Sequence, residues 1–152
     1  MPFVSLTRLR LRSIRFLPAF ARHNLRTLAQ VKAAPGFRGG SLLADRGWAF
    51  WTLTAWDGQD AMRAYMTAGA HRTAMPYLLE WCDEASVAHW TQDGDALPSW
   101  AEADRRMRDE GRPSKLRHPG PHHADLGFRA ARTAVTAPLR PAPARVPAPG
   151  SA

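Results

Sequence analysis

The chain has 152 residues, 45% hydrophobic and 22% charged, which suits one ordinary globular unit. A single cysteine, Cys82, excludes a disulfide scaffold and any all-cysteine zinc or iron–sulfur site, and no apolar run approaches the ~18 residues of a membrane span. The net charge of +8 is concentrated late: residues 112–152 hold seven basic groups against Asp125 alone, hence +6 of the excess.

Phe3–Leu11 opens the chain with a strand pattern, Leu9 and Leu11 alternating with Arg8, Arg10 and Arg12. Ser13 is a good helix N-cap. From Ile14 to Ala34, Leu17, Phe20, Ala21, Leu25, Leu28 and Val31 recur at helical spacing, with Arg15, Arg22 and Arg26 opposite. Pro18 suits the first turn and Pro35–Gly36 ends the helix. Phe37–Leu43 and Trp48–Trp56 flank the short loop Ala44–Gly47, a hairpin signature. In the second of these strands Trp48, Phe50, Thr52, Thr54 and Trp56 share one face, and Ala49, Trp51, Leu53 and Ala55 the other, so both faces need cover. Asp57, with Asp60 in capping-box spacing, starts a helix whose stripe is Ala61, Met62, Tyr65 and Met66. Gly69 breaks it. A further helix runs from His71 or Thr73 to Cys82, with Pro76 expected in its first turn. Ala85–Gln92 reads as a fourth strand, and Ser99 with Glu102 opens a charged helix ending near Glu110.

The order β–α–β–β–α–β is that of an α+β, ferredoxin-like antiparallel sheet with helices on one face. Residues 1–111 form the expected domain. Residues 112–152 carry eight of the 13 prolines and read as a disordered Pro/Arg-rich tail. Aromatic residues are nearly absent from that tail, so base stacking and a nucleic-acid partner are not expected. Helices on one face would leave aromatic side chains bare on the other, which predicts a homodimer packed sheet to sheet. No acid precedes Asp45, as in a transit peptide, but the segment has its own strand and helix pattern, so a cytoplasmic location is expected.

Several stretches carry a family likeness: Phe50–Trp56, Asp60–Tyr65, Gly69–Met75 and Trp81–Trp90. With this order of elements, residues 2–110 resemble the antibiotic-biosynthesis-monooxygenase-like superfamily, the dimeric α+β barrels. The likeness is greatest to small spheroidene-monooxygenase-like bacterial proteins of unknown function. The resemblance implies a pocket between sheet and helices. It also implies an oxidoreductase, a monooxygenase with haem or with no cofactor, acting on a hydrophobic aromatic or polyene molecule. The alternative is a dimer that binds a small apolar ligand without turnover.

His71, at the break between two helical pieces, is the candidate general base or haem ligand. Arg72 is placed to pair a carboxylate or haem propionate. Asn24, on the apolar side of the first helix, is a candidate to hold a substrate oxygen. Trp51, Tyr65, Trp56 and Phe20 are the expected lining of an aromatic pocket. Cys82 reads as a small buried hydrophobe, and His118, His122 and His123 lack the partners a zinc site needs.

Overall fold

The computed structural model describes residues 1–143. Four long strands form the centre of the sheet: β1 (Phe3–Leu11), β2 (Phe37–Asp45), β3 (Ala49–Trp56) and β4 (Cys82–Thr91). Two short strands, β5 (Arg112–Pro113) and β6 (Thr136–Leu139), lie at the edges. The order is β5-β4-β1-β3-β2-β6, with every pairing antiparallel. Helices α1 (Leu17–Ala33), α2 (Gln59–Met66) and α3 (Gly69–Trp81) cover one face, and α4 (Trp100–Glu110) lies on the other.

Strand alternation divides the core. Val4, Leu6, Trp51, Leu53 and Trp90 pack with Ala103 and Met107 of α4. Phe3, Leu11, Phe50 and Trp56 turn to the other side, towards α1, α2 and α3. Gly40 has a strict reason to be glycine, because a Cβ there would stand 2.3 Å from the Leu53 carbonyl oxygen.

Three local expectations change. Ser13 caps a short 3₁₀ turn, Ile14–Phe16, and α1 starts only at Leu17. Asp57 does not cap α2: Gly58 occupies that place, and the Asp57 carboxylate is held by Arg38 Nε at 2.7 Å. Pro76 lies inside α3, whose first residue is Gly69. Arg72, four residues earlier, and Pro76 are both exposed, so water can serve the carbonyl that loses its amide partner. Of the α4 capping box only the N-cap half forms: Ser99 Oγ accepts from the Glu102 amide, while the Glu102 carboxylate takes Arg105 and Arg106 instead of the Ser99 amide.

The largest departure lies beyond residue 111. Proline content separates 112–152 from the domain, yet part of the described stretch is packed. Leu139 of β6 is 3% exposed and Phe128 is 6% exposed. Pro138 is tolerated because β6 is an edge strand, where a missing donor costs no ladder bond on the open side. The remainder of the predicted tail, 144–152, lies outside the described residues.

Phe128 packs edge-on to Trp51, with ring centroids 5.4 Å apart. Together with α4 it covers the sheet face that the sequence leaves bare, and Trp51 is only 1% exposed within a single chain. The aromatic face behind the homodimer expectation is therefore covered within one chain.

Arg8, which alternates with Leu9 and Leu11 on β1, is 5% exposed. Its Nη1 donates to Glu84 Oε2 at 2.8 Å, and its guanidinium sits 4.2 Å from the Phe128 ring centre. A buried ion pair gives little net stability, but removing one partner strands the other charge. Glu84→Ala is thus expected to lower unfolding stability by about 3–5 kcal/mol. Urea denaturation beside the Arg8→Met/Glu84→Leu double variant checks this, since the double variant should recover most of the loss.

Candidate functional site

Between the helical layer and the sheet lies a cavity of about 150 Å³. Its floor is polar at the centre. Ser5 and Thr7 of β1 lie opposite Thr54 and Thr52 of β3, which puts four hydroxyl-bearing residues in a square. Thr54 Oγ1 is engaged, donating to the Ser5 carbonyl at 3.3 Å and accepting from Trp56 Nε1 at 2.9 Å. The walls are mostly apolar and aromatic, including Phe20, Trp56, Tyr65 and Leu78. Ser114 and Leu116, which follow β5, complete the wall beside β4. The Ser114 amide donates to the Ala85 carbonyl at 2.8 Å, and the Arg117 amide to Leu79 at 3.1 Å, so this segment bridges β4 and α3.

His71 reaches the cavity from the first turn of α3. Gly69, at φ +56, makes the sharp turn between α2 and α3 at no steric cost. Gln30 of α1 ties that turn together. Its Nε2 donates to the carbonyls of Tyr65 at 3.1 Å and Ala68 at 2.8 Å, and its Oε1 accepts the His71 amide at 2.8 Å. One side chain thereby serves orphan groups at both helix ends. His71 Nδ1 lies 3.0 Å from the Met66 carbonyl oxygen. A carbonyl only accepts, so this contact selects the Nδ1–H tautomer and leaves the Nε2 lone pair unprotonated. Burial lowers the imidazole pKa, with the Met66 carbonyl opposing weakly, so His71 is neutral at pH 7.

Tyr65 packs against both His71, with centroids 4.9 Å apart, and Trp56, at 5.3 Å. Its hydroxyl donates to the Thr27 carbonyl at 3.3 Å, and burial raises its pKa well above the ordinary phenol value. It is therefore a neutral wall group. His89, on β4, has a buried Nε2 without a hydrogen-bond partner and a pKa lowered chiefly by burial, but it packs on Phe3 rather than lining this cavity.

The structure brings together five of the seven residues singled out from sequence: His71, Asn24, Tyr65, Trp56 and Phe20 all line the cavity. Two do not. Trp51 points to the opposite face of the sheet, into the core with α4 and Phe128, because odd and even positions of a strand face opposite ways. Arg72 is exposed on the outer side of α3 and does not reach the cavity. Cys82 is fully buried and its thiol pKa is pushed up to about 12 by burial and then by Asp83, so it is no nucleophile.

Sequence reasoning missed Gln30, the hydroxyl floor and the Ser114–Leu116 wall. The alternation of Ser5 with Thr7 and of Thr52 with Thr54 carried a signal for the floor. Nothing local marked Gln30, whose three partners lie 35 to 41 residues away.

The cavity does not fit haem. Its volume matches about one benzene-sized ring, and Arg72, the expected propionate partner, faces solvent. Among the described residues no cluster of three or more His, Cys, Asp or Glu side chains could hold a metal ion, and no helix is long and apolar enough to cross a membrane.

A family model described as "Domain of unknown function (DUF3291)" matches residues 20–140. No curated protein matches. Among solved structures, Rv0793 from Mycobacterium tuberculosis is similar, with a TM-score of 0.56 at 13% identity, over 63% of this chain and 99% of that one. A putative antibiotic biosynthesis monooxygenase from Nitrosomonas europaea also has a TM-score of 0.56 at 13% identity, over 62% and 93%. PA3566 from Pseudomonas aeruginosa has a TM-score of 0.54 at 13% identity, over 61% and 95%. The fold is thus that of the antibiotic-biosynthesis-monooxygenase-like proteins, an α+β arrangement on an antiparallel sheet.

Proposed function

Since the chain belongs to the DUF3291 family, whose description assigns no chemistry, we propose from its pocket that it is a cofactor-independent oxygenase of small aromatic molecules. The observation that carries this reading is His71: a neutral imidazole with a free Nε2 lone pair, set in a mostly apolar cavity of one-ring size. The likeness in fold to a putative monooxygenase supports the reaction class. The small volume favours a compact aromatic ring over the long polyene that the sequence left open.

The chemistry needs a substrate with an acidic CH₂ beside a carbonyl or aryl group. His71 takes one of its protons, and the carbanion passes an electron to O₂. Recombination of the radical pair forms a C–O bond, the returned proton gives a hydroperoxide, and loss of water leaves a ketone. The balance is R₂CH₂ + O₂ → R₂C=O + H₂O, with the substrate supplying all four electrons. The hydroxyls of Ser5, Thr7 and Thr52 and the amide of Asn24 are among the polar groups available to hold the developing enolate oxygen.

A second reading, a binding protein without turnover, draws on the lack of a second titratable group in hydrogen-bond contact with His71. Oxygen-electrode assays with one-ring aromatic ketones separate the two. The oxygenase predicts substrate-dependent O₂ uptake that His71→Ala abolishes while quenching of Trp56 fluorescence by ligand persists. Quenching with no uptake in the unaltered chain leaves the binding protein. We further propose that the chain is monomeric, because its own α4 and Phe128 cover the sheet face. Light scattering should give a mass near 16.8 kDa.

A further inference from the structure

The arginines of this chain divide into two populations. On α4, Arg105, Arg106 and Arg108 all pair with acids of the same helix. Arg8, Arg10, Arg12 and Arg38 are likewise paired. By contrast Arg15, Arg22, Arg26 and Lys32, in and just before α1, have no carboxylate within 4.0 Å among the described residues. No acid exists in the first 44 residues to pair with them locally.

These free cations surround exposed apolar side chains. Arg22, Leu25, Ala29 and Lys32 follow helical spacing down the outer side of α1, with Arg26 beside them, and all are exposed. Leu25 is 69% exposed and Ile14, just before the helix, is 59% exposed. Across the seam, α3 adds Tyr77, which is 49% exposed and packs on His23 of α1. A soluble helix ordinarily places acids as well as cations on its wet side. A wet side of cations, alanines and leucine, without acids, is the composition of a helix that lies on an anionic interface.

We propose that the outer face of α1, with the adjoining edge of α3, docks on an anionic phospholipid surface, Arg22, Arg26 and Lys32 meeting headgroup phosphates and Leu25 entering the acyl boundary. The cations of α1 stand without acids, whereas Arg105, Arg106 and Arg108 of α4 are each matched by an acid of their own helix. Docking in this orientation sets the wall that α1 gives the cavity directly above the bilayer, since Asn24 is the immediate neighbour of Leu25. The proposal concerns the surface and stands whether or not the cavity is catalytic.

The test is flotation of the full-length protein with phosphatidylcholine vesicles, pure or carrying about a quarter phosphatidylglycerol. Binding is expected only to the anionic vesicles, falling as salt rises. Arg22→Glu/Arg26→Glu should weaken it by at least about tenfold, and Leu25→Gln should weaken it measurably. All three positions are exposed, so circular dichroism should be unchanged. Arg129→Glu/Arg132→Glu, in the basic stretch after α4, should have a much smaller effect. The proposal is overturned if anionic vesicles are not bound, or if binding follows Arg129 and Arg132 rather than α1. It is also overturned if polyglutamate or duplex DNA binds equally well and Leu25→Gln changes nothing, since that describes a general polyanion site.

Discussion

Phe128→Ala is expected to lower unfolding stability by about 3–5 kcal/mol, the range for emptying a large aromatic site in a packed core. The ring is 6% exposed and stands edge-on to Trp51. It also lies between two guanidinium groups, Arg8 at 4.2 Å and Arg108 at 4.4 Å from its centre. Removing it takes away apolar contact with Trp51 and admits water to the Arg8–Glu84 pair at once. Arg108 also anchors the segment by donating to the Phe128 carbonyl at 3.0 Å, so the main chain there is held independently of the ring. Urea denaturation of the variant measures the loss. A fall below about 1 kcal/mol, the range of ordinary surface substitutions, would mean that this segment is not part of the core. Cutting the chain after Gly111 removes Phe128 and also His123, whose Nδ1 accepts from the Ala85 amide at 3.3 Å while Nε2 donates to the Ser114 carbonyl at 2.7 Å. That truncation should expose Trp51 and Leu53 and drive self-association. Gel filtration would show a monomeric full chain and a larger truncated one.

That result bears on why the central fold was legible and its cover was not. The strands at Phe3–Leu11 and Ala49–Trp56 announce themselves by period-two alternation, which is a local property of each segment. The N-cap at Ser99 is equally local and formed as read. The packing of Phe128 is not local. It rests on one aromatic ring in a proline-rich, weakly patterned stretch meeting Trp51, 77 positions earlier. Composition describes the average of such a stretch and overlooks a single anchor. The expectation of a bare aromatic face followed from that oversight, because the chain itself supplies a cover for it. The burial of Arg8 is equally non-local. A charge alternating with leucines is normally solvated, and only the approach of Glu84 and Phe128 makes burial tolerable.

The candidate site shows the same division. Phe20, Asn24, Tyr65 and Trp56 could be placed on one side of their helices and strand from spacing, and His71 from its place at the helix break beside Gly69; all five line the cavity. Trp51 could not be, since choosing it for the cavity contradicted the strand's own alternation: Thr52, Thr54 and Trp56 were already assigned to one face and Trp51 to the other. Arg72 follows His71 in sequence, but neighbours on a helix point about 100° apart, and only one of them can face the cavity. Gln30 was unreadable because a side-chain amide that bridges two helix ends leaves no spacing signal in its own helix.

His71→Gln supplies the second large effect, and its sign depends on pH. The imidazole acts as a base only when neutral, and burial lowers its pKa from the usual value near 6.5. The acid limb of kcat/KM should therefore fall below pH ~6.5 rather than at it. Stability moves in the same direction. The unfolded chain keeps an ordinary histidine and takes up a proton first, so stability is complete above about pH 6.5 and declines as pH drops from there towards the lowered value. His89 is shifted the same way, by burial first and by Arg112 and Arg63 after it, and adds to the decline. In His71→Gln, O₂ uptake should drop by about 10²–10⁴-fold, the usual contribution of a positioned base. The acid-side loss of stability should become shallower, leaving the share due to His89. Gln30→Leu should preserve the titrating base but loosen its position, since the His71 amide loses its acceptor and the carbonyls of Tyr65 and Ala68 lose their donor. That variant should lower kcat while retaining the acid limb. If His71→Gln keeps both full uptake and the wild-type acid limb, His71 is not the base. The cavity would then be read as a ligand-binding pocket.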